Sequence, residues 1–573
     1  MSAPATGGRT LFTRQSSGLV REVSVVNALF FNTAAFIGVG LGWYPVFYAL
    51  PGIAVGTLGA FTTYGVAAIL VGVFCVVLAL IFASLTSVMP RSGGDYVFTS
   101  RIIPRAGPFL GWLESWTLAF ASLGIIAFEV PIVVRNLQIT GRIIGIGTGS
   151  SFFSGANSWF TDSTGAVTGV PGFIAALIVL ALVAVVVFQP TRRFHRIITT
   201  LAILSLIAGV LMFVLGLTAI DPATFAANLP NYTGGVTVDQ LAAAADKASL
   251  LSHGGVDFSP TVFMLMASVL LFQYIGFQYS AYIAGEVRGN VRRTVLIALL
   301  GALVIGVLMN SVYTDFIAGR LGIDGQVGWG GAFWGYISNP ALPMGQPASM
   351  PLMGAVANPG LWPFWTIISL AVTLFPFLLC PVYIVFLSRV QLAWSLDRQV
   401  PAWFGEVSER LRAPANAIFA SLVVAVLFAL LQNFPILGPL AASSDGKLNL
   451  ISTAWFSIFA SGLTWVMPGF NALLARRTRP DLVRDAPWGS ALPILGLIWL
   501  VFAFVLYWFA GIIPIWNTLT SPGATPFSYL NSSGVSFVVF LLVVGAVIYV
   551  VQAARNRAAG IETGLMYQEI PPD

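Results

Sequence analysis

Two glutamates interrupt a long apolar run and are the residues with the clearest potential for chemistry. Glu129 lies between the apolar stretches IIAF and VPIVV, and Glu114 lies nearer the start of the same run, beside Trp112 and Trp116. A charged side chain in such a setting is costly, which makes it a candidate for binding a coupling proton or cation. Glu129 fits this role, with a structural ion pair to Arg135 or to an outer loop as the alternative. Glu114 favours an interfacial role.

The other reactive residue types form no catalytic or metal-binding constellation. His195 and His253 fall in predicted loops, and Cys75 and Cys380 lie inside apolar runs as packing residues. HExxH, CxxC, nucleophile-elbow and Walker A patterns do not occur. We therefore expect no enzyme, no metal site, no cofactor and no ATP-driven pump, and energy for any work would come from an ion or solute gradient.

The composition indicates that lipid surrounds most of the chain. Of 573 residues, 57% are hydrophobic and only 8% are charged, whereas a soluble domain has about 25% charged residues. The net charge of +6 does not indicate nucleic-acid binding, because the basic residues form short clusters between apolar runs, as topology signals do.

Twelve stretches are long and apolar enough to cross about 30 Å of hydrocarbon as helices. Span 3 is too long for a perpendicular crossing, so it must tilt or extend beyond the bilayer. Spans 4 and 5 are separated only by QPTRRFHR, which predicts a tight hairpin. The twelve predicted spans are 23–50, 61–89, 106–137, 171–189, 197–219, 260–285, 293–318, 361–388, 414–432, 451–475, 488–514 and 533–553. The predicted fold class is an all-α polytopic membrane protein.

The basic residues orient these spans. With a cytoplasmic N-terminus, 22 of the 27 Lys and Arg residues fall on the cytoplasmic side, as the positive-inside rule requires. An even number of spans then places both tails, 1–22 and 555–573, in the cytoplasm. Three long outer connections, 138–170, 220–259 and 319–360, have no role that the sequence reveals.

Three segments on the predicted cytoplasmic side carry recognisable motifs. Residues 89–116 contain MPRSGGDY followed by Arg and Gly-Pro, residues 272–295 read FQYIGFQYSAYIAGEVRGNVRRTV, and residues 388–418 begin SRVQLAWSLDRQVPAWF. They resemble the P-x-S-G-G-x-Y, F-x-G-F-E…A-G-E-V-K-N-P-x-R and R-x-x-x-A-M-A-R-D-G-x-x-P-x-W-F motifs of amino acid–polyamine–organocation (APC) permeases. The resemblance covers about residues 20–480.

The resemblance implies a LeuT-type fold, in which residues 23–480 form a 5+5 inverted repeat and residues 481–554 add two helices. It also implies a secondary active transporter of an amino acid or related amine, working by symport or exchange. A polyamine or other organic-cation permease is the alternative. A channel or a membrane-embedded enzyme is less supported, because neither a selectivity filter nor a catalytic constellation is visible. The coupling ion, Na⁺ or H⁺, and the oligomeric state stay open.

The first motif predicts a gate element. Paired glycines let the loop holding Arg91 and Asp95 fold tightly against helix ends, with Arg and Asp pairing beneath the gate. The alternative is a charged turn that only sets topology.

Two further positions are gating or coupling candidates. Glu286 ends span 6, where Arg288, Arg292 and Arg293 could neutralise it at a gate contact, and a weak surface salt bridge is the alternative. Thr373 of span 8 is a candidate Na⁺ contact.

The substrate site is predicted where spans 1 and 6 break at mid-membrane, as the resemblance implies. A broken helix frees N–H and C=O groups, and glycine permits the break. Packing of small residues between helices is the alternative reading. Span 6 carries Gln278 where many family members have an acid, and span 1 lacks the usual serine. The candidate binding residues are Thr33, Ala34, Gly38 and Gly40 of span 1, and Tyr274, Ile275, Gly276, Phe277 and Gln278 of span 6.

Overall fold

The computed structural model describes residues 18–36, 63–161, 167–240, 243, 260–313, 349–436, 446–448, 460–509, 516, 520, 535–561 and 563–567. Nearly all regular structure in these residues is helical. The strands β1 (Val407–Ser408) and β2 (Ala413–Pro414) form one short antiparallel pair. Because lipid offers no hydrogen bonds, long apolar segments must satisfy their backbone internally, and the helix does so within one segment.

The α-helices, numbered in chain order, are α1 (Val25–Ala35), α2 (Thr63–Val88), α3 (Asp95–Ile102), α4 (Gly107–Thr148), α5 (Ser151–Ser154), α6 (Gly169–Val187), α7 (Thr191–Thr218), α8 (Pro222–Thr233), α9 (Pro260–Gln273), α10 (Val291–Leu308), α11 (Met350–Ala357), α12 (Trp362–Leu396), α13 (Ala415–Asn433), α14 (Gly462–Thr478), α15 (Pro480–Val483), α16 (Leu492–Tyr507), α17 (Val535–Ala558) and α18 (Thr563–Met566). Short 3₁₀ turns lie at Ala156–Ser158, Tyr279–Tyr282, Ala284–Glu286, Pro359–Leu361 and Ala402–Gly405. A π-turn at Met309–Tyr313 extends α10.

Eight of the described helical segments are long and apolar enough to cross a membrane. They correspond to predicted spans 2, 3, 4, 5, 7, 8, 9 and 12, and the other four predicted spans contain the shorter helices α1, α9, α14 and α16. The prediction of an all-α polytopic membrane protein is confirmed. The division into two five-span repeats stays a prediction.

Two long helices form the centre of the bundle. α4 has 42 residues and α12 has 35, and the two make the most extensive helix contact in the described residues. At 1.5 Å per residue α4 is about 63 Å long, so it extends beyond a bilayer core of about 30 Å. The expectation that span 3 was too long to cross perpendicularly within the bilayer is consistent with this length. α1 packs against α7, α10 and α12, and α2 packs against α9 and α10.

The hairpin predicted between spans 4 and 5 is present, since α6 ends at Val187 and α7 begins at Thr191. The early start of α7 corrects one expectation. His195 lies in the first turns of α7 and is buried, not in a loop. The basic cluster around it disguised the helix start, because charged residues lower local hydropathy without breaking a helix.

The connections predicted to lie outside contain short helices. α8 lies in the second connection and α11 in the third, and Asn228 Nδ2 of α8 donates to the Val356 carbonyl of α11 at 3.0 Å. The described parts of these loops are therefore ordered against one another.

Candidate functional site

Span 6 loses its helical form near its middle. α9 ends at Gln273, residues 274–278 form turns, and two 3₁₀ turns follow to Glu286. Gly276 has φ +106°, a conformation that other residues rarely adopt. An added Cβ there would also collide with the backbone carbonyl of Ala35. Glycine is thus required by both the backbone angle and the close approach of span 1.

Span 1 ends its helix at the same place. α1 stops at Ala35, and Phe36 is extended. The Phe36 and Tyr274 rings meet edge-on with centroids 5.1 Å apart. The structure therefore brings together the two segments in which the sequence predicted broken helices. Gly38 and Gly40 lie outside the described residues.

Hydrogen bonds join the end of α1 to the 3₁₀ turn Tyr279–Tyr282 of span 6. Asn32 Nδ2 donates to Ser280 Oγ at 3.0 Å, and the Ser280 backbone N–H donates to Asn32 Oδ1 at 2.6 Å. Both side chains are fully buried. The sequence analysis missed this pair, although the two asparagines within the apolar run VVNALFFNTAA, of which Asn32 is the second, were the signal that could have identified it.

The predicted site residues that the structure describes are buried around this contact. Thr33 Oγ1 donates to the Leu29 carbonyl at 2.9 Å, and Tyr274 donates to the Ala68 carbonyl of α2 at 2.7 Å. The Gly276 N–H donates to Gln278 Oε1 at 3.3 Å. Ala34, Ile275 and Phe277 are at most 2% exposed.

A second polar group, also missed from sequence, lies at the end of α9. The Tyr64 hydroxyl oxygen is 3.1 Å from both Gln273 Oε1 and Asn310 Oδ1. Within the described residues, Gln273 Nε2 has no hydrogen-bond partner although the side chain is fully buried. A buried donor left unpaired is costly, so this amide is available to a bound polar group.

The end of span 6 that is predicted to be cytoplasmic is held by charged contacts. Arg389 of α12 holds Glu286 in a two-pronged ion pair, Nε to Oε1 at 2.6 Å and Nη2 to Oε2 at 3.0 Å. The expectation that Arg288, Arg292 and Arg293 neutralise Glu286 was wrong. Those arginines follow Glu286 in sequence, but the folded chain turns its carboxylate toward α12.

The glycine-paired loop packs against the 3₁₀ turns at the end of span 6. Gly93 N–H donates to the Tyr282 carbonyl at 3.0 Å, and a Cβ on Gly94 would meet the Tyr282 ring. Arg91 is nearly buried, and its backbone N–H donates to Met89. The gating role of this loop stays a prediction.

Asp95 is fully buried at the start of α3, where its Oδ1 accepts the Tyr96 backbone N–H at 3.0 Å. The expected pairing of Asp95 with an arginine is not formed in the described part of the chain. Its carboxyl group lies near Glu114 and near the Tyr282 hydroxyl instead, and it makes no hydrogen bond of good geometry to that hydroxyl. Burial raises the pKa of Asp95 to about 6, opposed by the polar groups around it.

Glu114 is fully buried within the bundle, near the start of α4, and its interfacial role stays a prediction. Its Oε2 accepts a hydrogen bond from Thr99 Oγ1 at 2.5 Å, and Thr99 in turn accepts one from Asn471 Nδ2 at 2.8 Å. The partners come from α3 and α14, which a scan of span 3 alone does not identify.

A second buried ion pair joins α3 to the end of α12. Arg101 Nη1 lies 2.8 Å from Asp397 Oδ2, and Tyr96 donates to the same oxygen at 2.9 Å. The Arg101 guanidinium lies 5.3 Å from the ring centroid of Tyr567, which follows α18 near the C-terminus. Gln399 Nε2 also donates to the Tyr567 hydroxyl at 2.6 Å.

Glu129 lies in α4 with 4% exposure. In the described part of the chain it forms neither an ion pair nor a hydrogen bond, so the alternative pairing with Arg135 is not formed. Cys380 and Tyr383 of α12 lie within electrostatic reach of its carboxyl group.

Thr373 is buried in α12 and donates to the Ser369 carbonyl of its own helix at 2.7 Å. The Ser369 hydroxyl lies 2.7 Å from Thr140 Oγ1 of α4. The hydroxyls of α12 therefore serve contacts within the helix and to α4, and a cation contact at Thr373 stays a prediction.

Comparisons with known proteins agree with this architecture. The model of the amino acid permease family matches residues 23–529. The chain is 24% identical over 486 residues to the branched-chain amino acid permease BcaP of Lactococcus lactis subsp. cremoris (strain MG1363), covering 82% of this chain and 88% of that protein. It is 22% identical over 545 residues to the methylthioribose transporter of Bacillus subtilis (strain 168), covering 92% and 94%. The chain belongs to the amino acid permease family, within the APC superfamily, and it is a multi-pass membrane transporter and not an enzyme.

Proposed function

We propose that the protein is a secondary active transporter that moves an amino acid or related amine by alternating access, as a symporter or exchanger. The observation that carries the proposal is the meeting of the end of α1, at Ala35, with the turn that follows α9, at Gly276, inside an otherwise apolar bundle. Helix breaks at membrane depth persist only where protein or a polar cavity satisfies the backbone. In transporters such breaks hold the substrate.

The chemistry of the break suits an ammonium group. α1 and α9 both end there, so the carbonyl ends of two helices converge. Helix C-termini carry partial negative charge and unsatisfied carbonyls, which attract a cation. The turn at residues 274–278 and the amide of Gln273 offer N–H donors to a carboxylate.

The substrate class follows from charge. Residues 32–36 and 273–280 contain no Asp, Glu, Lys, Arg or His, and Phe36 and Phe277 are apolar. A zwitterion with an uncharged side chain can be held by backbone dipoles alone, whereas a polyamine needs fixed carboxylates. These features favour a neutral amino acid over a polyamine. The relatives named for branched-chain amino acids and for methylthioribose are consistent with an uncharged or net-neutral substrate.

The cytoplasmic layer is proposed as the inner gate. The Glu286–Arg389 and Arg101–Asp397 pairs tie span 6 and α3 to α12 beneath the break. Buried ion pairs lose most of their strength when water enters, so the same contacts close the gate tightly and release it cooperatively.

We assign the coupling role to Glu129, with H⁺ as the coupling ion. Within the described residues its carboxylate has no ion-pair or hydrogen-bond partner, and a carboxylate in that setting is costly in its charged form, so it is suited to exchanging a proton with an aqueous path. Glu129→Gln is expected to flatten the pH dependence of transport without loss of folded protein, while Glu129→Asp retains it. Uptake into proteoliposomes from pH 5 to 8 measures both, and an unchanged profile for Glu129→Gln contradicts this assignment.

Both termini are proposed to be cytoplasmic, from the distribution of arginines. Accessibility labels at residues 5 and 565 should react from the cytoplasmic side, and a label at residue 240 from the outside. A C-terminus that reacts from outside contradicts the proposed number of spans.

The substrate site is tested with two glycines of positive φ. Gly276→Ala is expected to abolish amino acid binding, because its Cβ meets the Ala35 carbonyl. Gly289→Ala also places a side chain at a positive φ, +76°, but an added Cβ there has no atom within 4 Å, so this variant should retain binding. Ligand-induced thermal shifts across amino acids, polyamines and methylthioribose, with and without Na⁺, measure the effect. Full affinity in folded Gly276→Ala would refute the site.

A further inference from the structure

A basic pocket opens between α14 and α16, on the side predicted to be cytoplasmic. Its volume is about 480 Å³, and its lining includes Arg476, Arg484 and Trp488 but no acidic residue. Arg476 lies in the last turn of α14, and Arg484 directly follows α15. In the described residues neither arginine forms an ion pair. The pocket therefore carries uncompensated positive charge.

Trp488 adopts a strained conformation at this pocket. Its φ is +54°, a region in which a bulky side chain is a genuine outlier. The indole is 38% exposed, and the Arg292 guanidinium of α10 lies 5.8 Å from its ring centroid. Such strain persists only where surrounding structure imposes it, and it concentrates at binding sites. A third arginine is thereby brought next to the pocket.

Neighbouring contacts make the pocket rigid. A Cβ on Gly489 would collide with the Val483 carbonyl oxygen, so the segment can close only with glycine there. Ser84 Oγ of α2 donates to the Pro487 carbonyl at 2.5 Å, with Ser84 fully buried. The pocket is thus attached to the helix bundle and is not a loose surface loop.

A second basic pocket offers an internal comparison. It has a volume of about 510 Å³ and is lined by Arg101, Arg105 and Arg479. There Arg101 is paired with Asp397, and Arg479 Nη2 lies 2.9 Å from Asp481 Oδ2. Most of its positive charge is already neutralised, whereas that of the first pocket is not.

The surface next to the first pocket indicates the source of its ligand. α16 begins at Leu492, directly after the pocket, and its outward residues Ile494, Leu497 and Val501 are 64%, 55% and 57% exposed. In a bilayer this face contacts acyl chains. A lipid whose chains lie along α16 would bring its headgroup to the arginines, at the depth where tryptophan is enriched.

We propose that this pocket binds a phosphate group with net negative charge, supplied by an anionic phospholipid of the cytoplasmic leaflet. Arginine forms short, charge-assisted hydrogen bonds to phosphate oxygens, and basic residues near a membrane attract anionic lipid. Free phosphate shares this chemistry but lacks the acyl chains that would contact α16.

The test uses the full chain purified in detergent and titrated with phosphatidylglycerol, with phosphatidylcholine of the same acyl chains, or with sodium phosphate. The shift in Tm gives the apparent Kd. Phosphatidylglycerol should bind preferentially, and the Arg476→Gln/Arg484→Gln variant should bind it about 25-fold more weakly, roughly fivefold per arginine. The variant should keep its Tm without lipid, because both side chains are exposed.

Arg477→Gln is the matched control, since it removes the same charge from the same helical turn but does not line the pocket. It should bind phosphatidylglycerol as the parent does. Equal losses in Arg477→Gln and in the double variant would overturn the proposal, because general surface charge would then suffice. Equal protection by the two lipids would overturn it as well. Equal protection by sodium phosphate would assign the pocket to a soluble anion and overturn the lipid source.

Discussion

Span 6 is held by opposite means at its middle and at the end predicted to be cytoplasmic. At the break, spans 1 and 6 meet through backbone, aromatic rings and the neutral Asn32–Ser280 pair. At the end predicted to be cytoplasmic, span 6 is held to α12 by the Glu286–Arg389 pair, whose side chains are at most 2% exposed. Replacing a neutral hydrogen bond with a contact to a ligand changes the free energy little. Separating a buried ion pair leaves two buried charges without partners and costs several kcal/mol. The difference separates a region suited to binding from a region suited to closure.

Breaking the buried ion pair should have the largest effect. Arg389→Gln leaves Glu286 charged and buried without its partner, which costs about 3–5 kcal/mol of stability. Thermal unfolding of the purified protein should show a large drop in Tm. Arg412→Gln is the control and should change Tm little. It removes an ion pair to Glu22 in which the Arg412 side chain is 48% exposed. Similar Tm values for the two variants would mean that the cytoplasmic layer is not held by Arg389.

The second largest effect on stability should come from the protonation of Asp95. Its pKa is raised to about 6 in the folded protein, so the stabilisation of the protonated form is complete below about pH 4 and is lost as pH rises through 6. A rise of about two pKa units corresponds to at most about 3 kcal/mol.

Asp95→Asn should remove the loss of stability that ionisation of Asp95 causes as the pH rises. The stability of the variant relative to the parent should therefore increase between pH 4 and pH 7. Chemical unfolding across this pH range measures the difference. A constant difference between the two proteins would show that Asp95 does not titrate there.

Disrupting the neutral pair at the break should cost less stability but more affinity. Asn32→Ala leaves the Ser280 N–H buried without an acceptor, which costs about 2 kcal/mol. The two breaks then lose their register, so substrate affinity should fall more than stability does. Isothermal titration and thermal unfolding measure the two quantities. Asn27→Ala is the control, because Asn27 bonds Thr199 of α7 away from the break.

Removing the contacts of Tyr567 with Gln399 and Arg101 should change the stability least. Tyr567→Phe removes the hydrogen bond from Gln399 but keeps the ring beside Arg101, so we expect a loss of about 1 kcal/mol. Tyr567→Ala also removes the ring and should destabilise more. Equal Tm values for both variants and the parent would show that the C-terminal segment does not support the Arg101–Asp397 pair.

The sequence by itself determined the elements and several of their interruptions. Run length and apolar content are local properties, and lipid forces such runs into helices, so every predicted span contains a described helix. Gly276 could also be singled out from local sequence. A glycine amid bulky residues permits the backbone to depart from the helix, as it does here at φ +106°.

Only the tertiary structure decided which polar groups meet. Glu286 pairs with Arg389, 103 residues away, and not with the arginines that follow it. Arg101 pairs with Asp397 across 296 residues, and Glu129 has no counterpart in Arg135 in the described part of the chain. An ion pair depends on where two helices bring their side chains after packing, and that distance has no local signal. Hydropathy therefore predicts where helices lie, and helix packing determines their charged contacts.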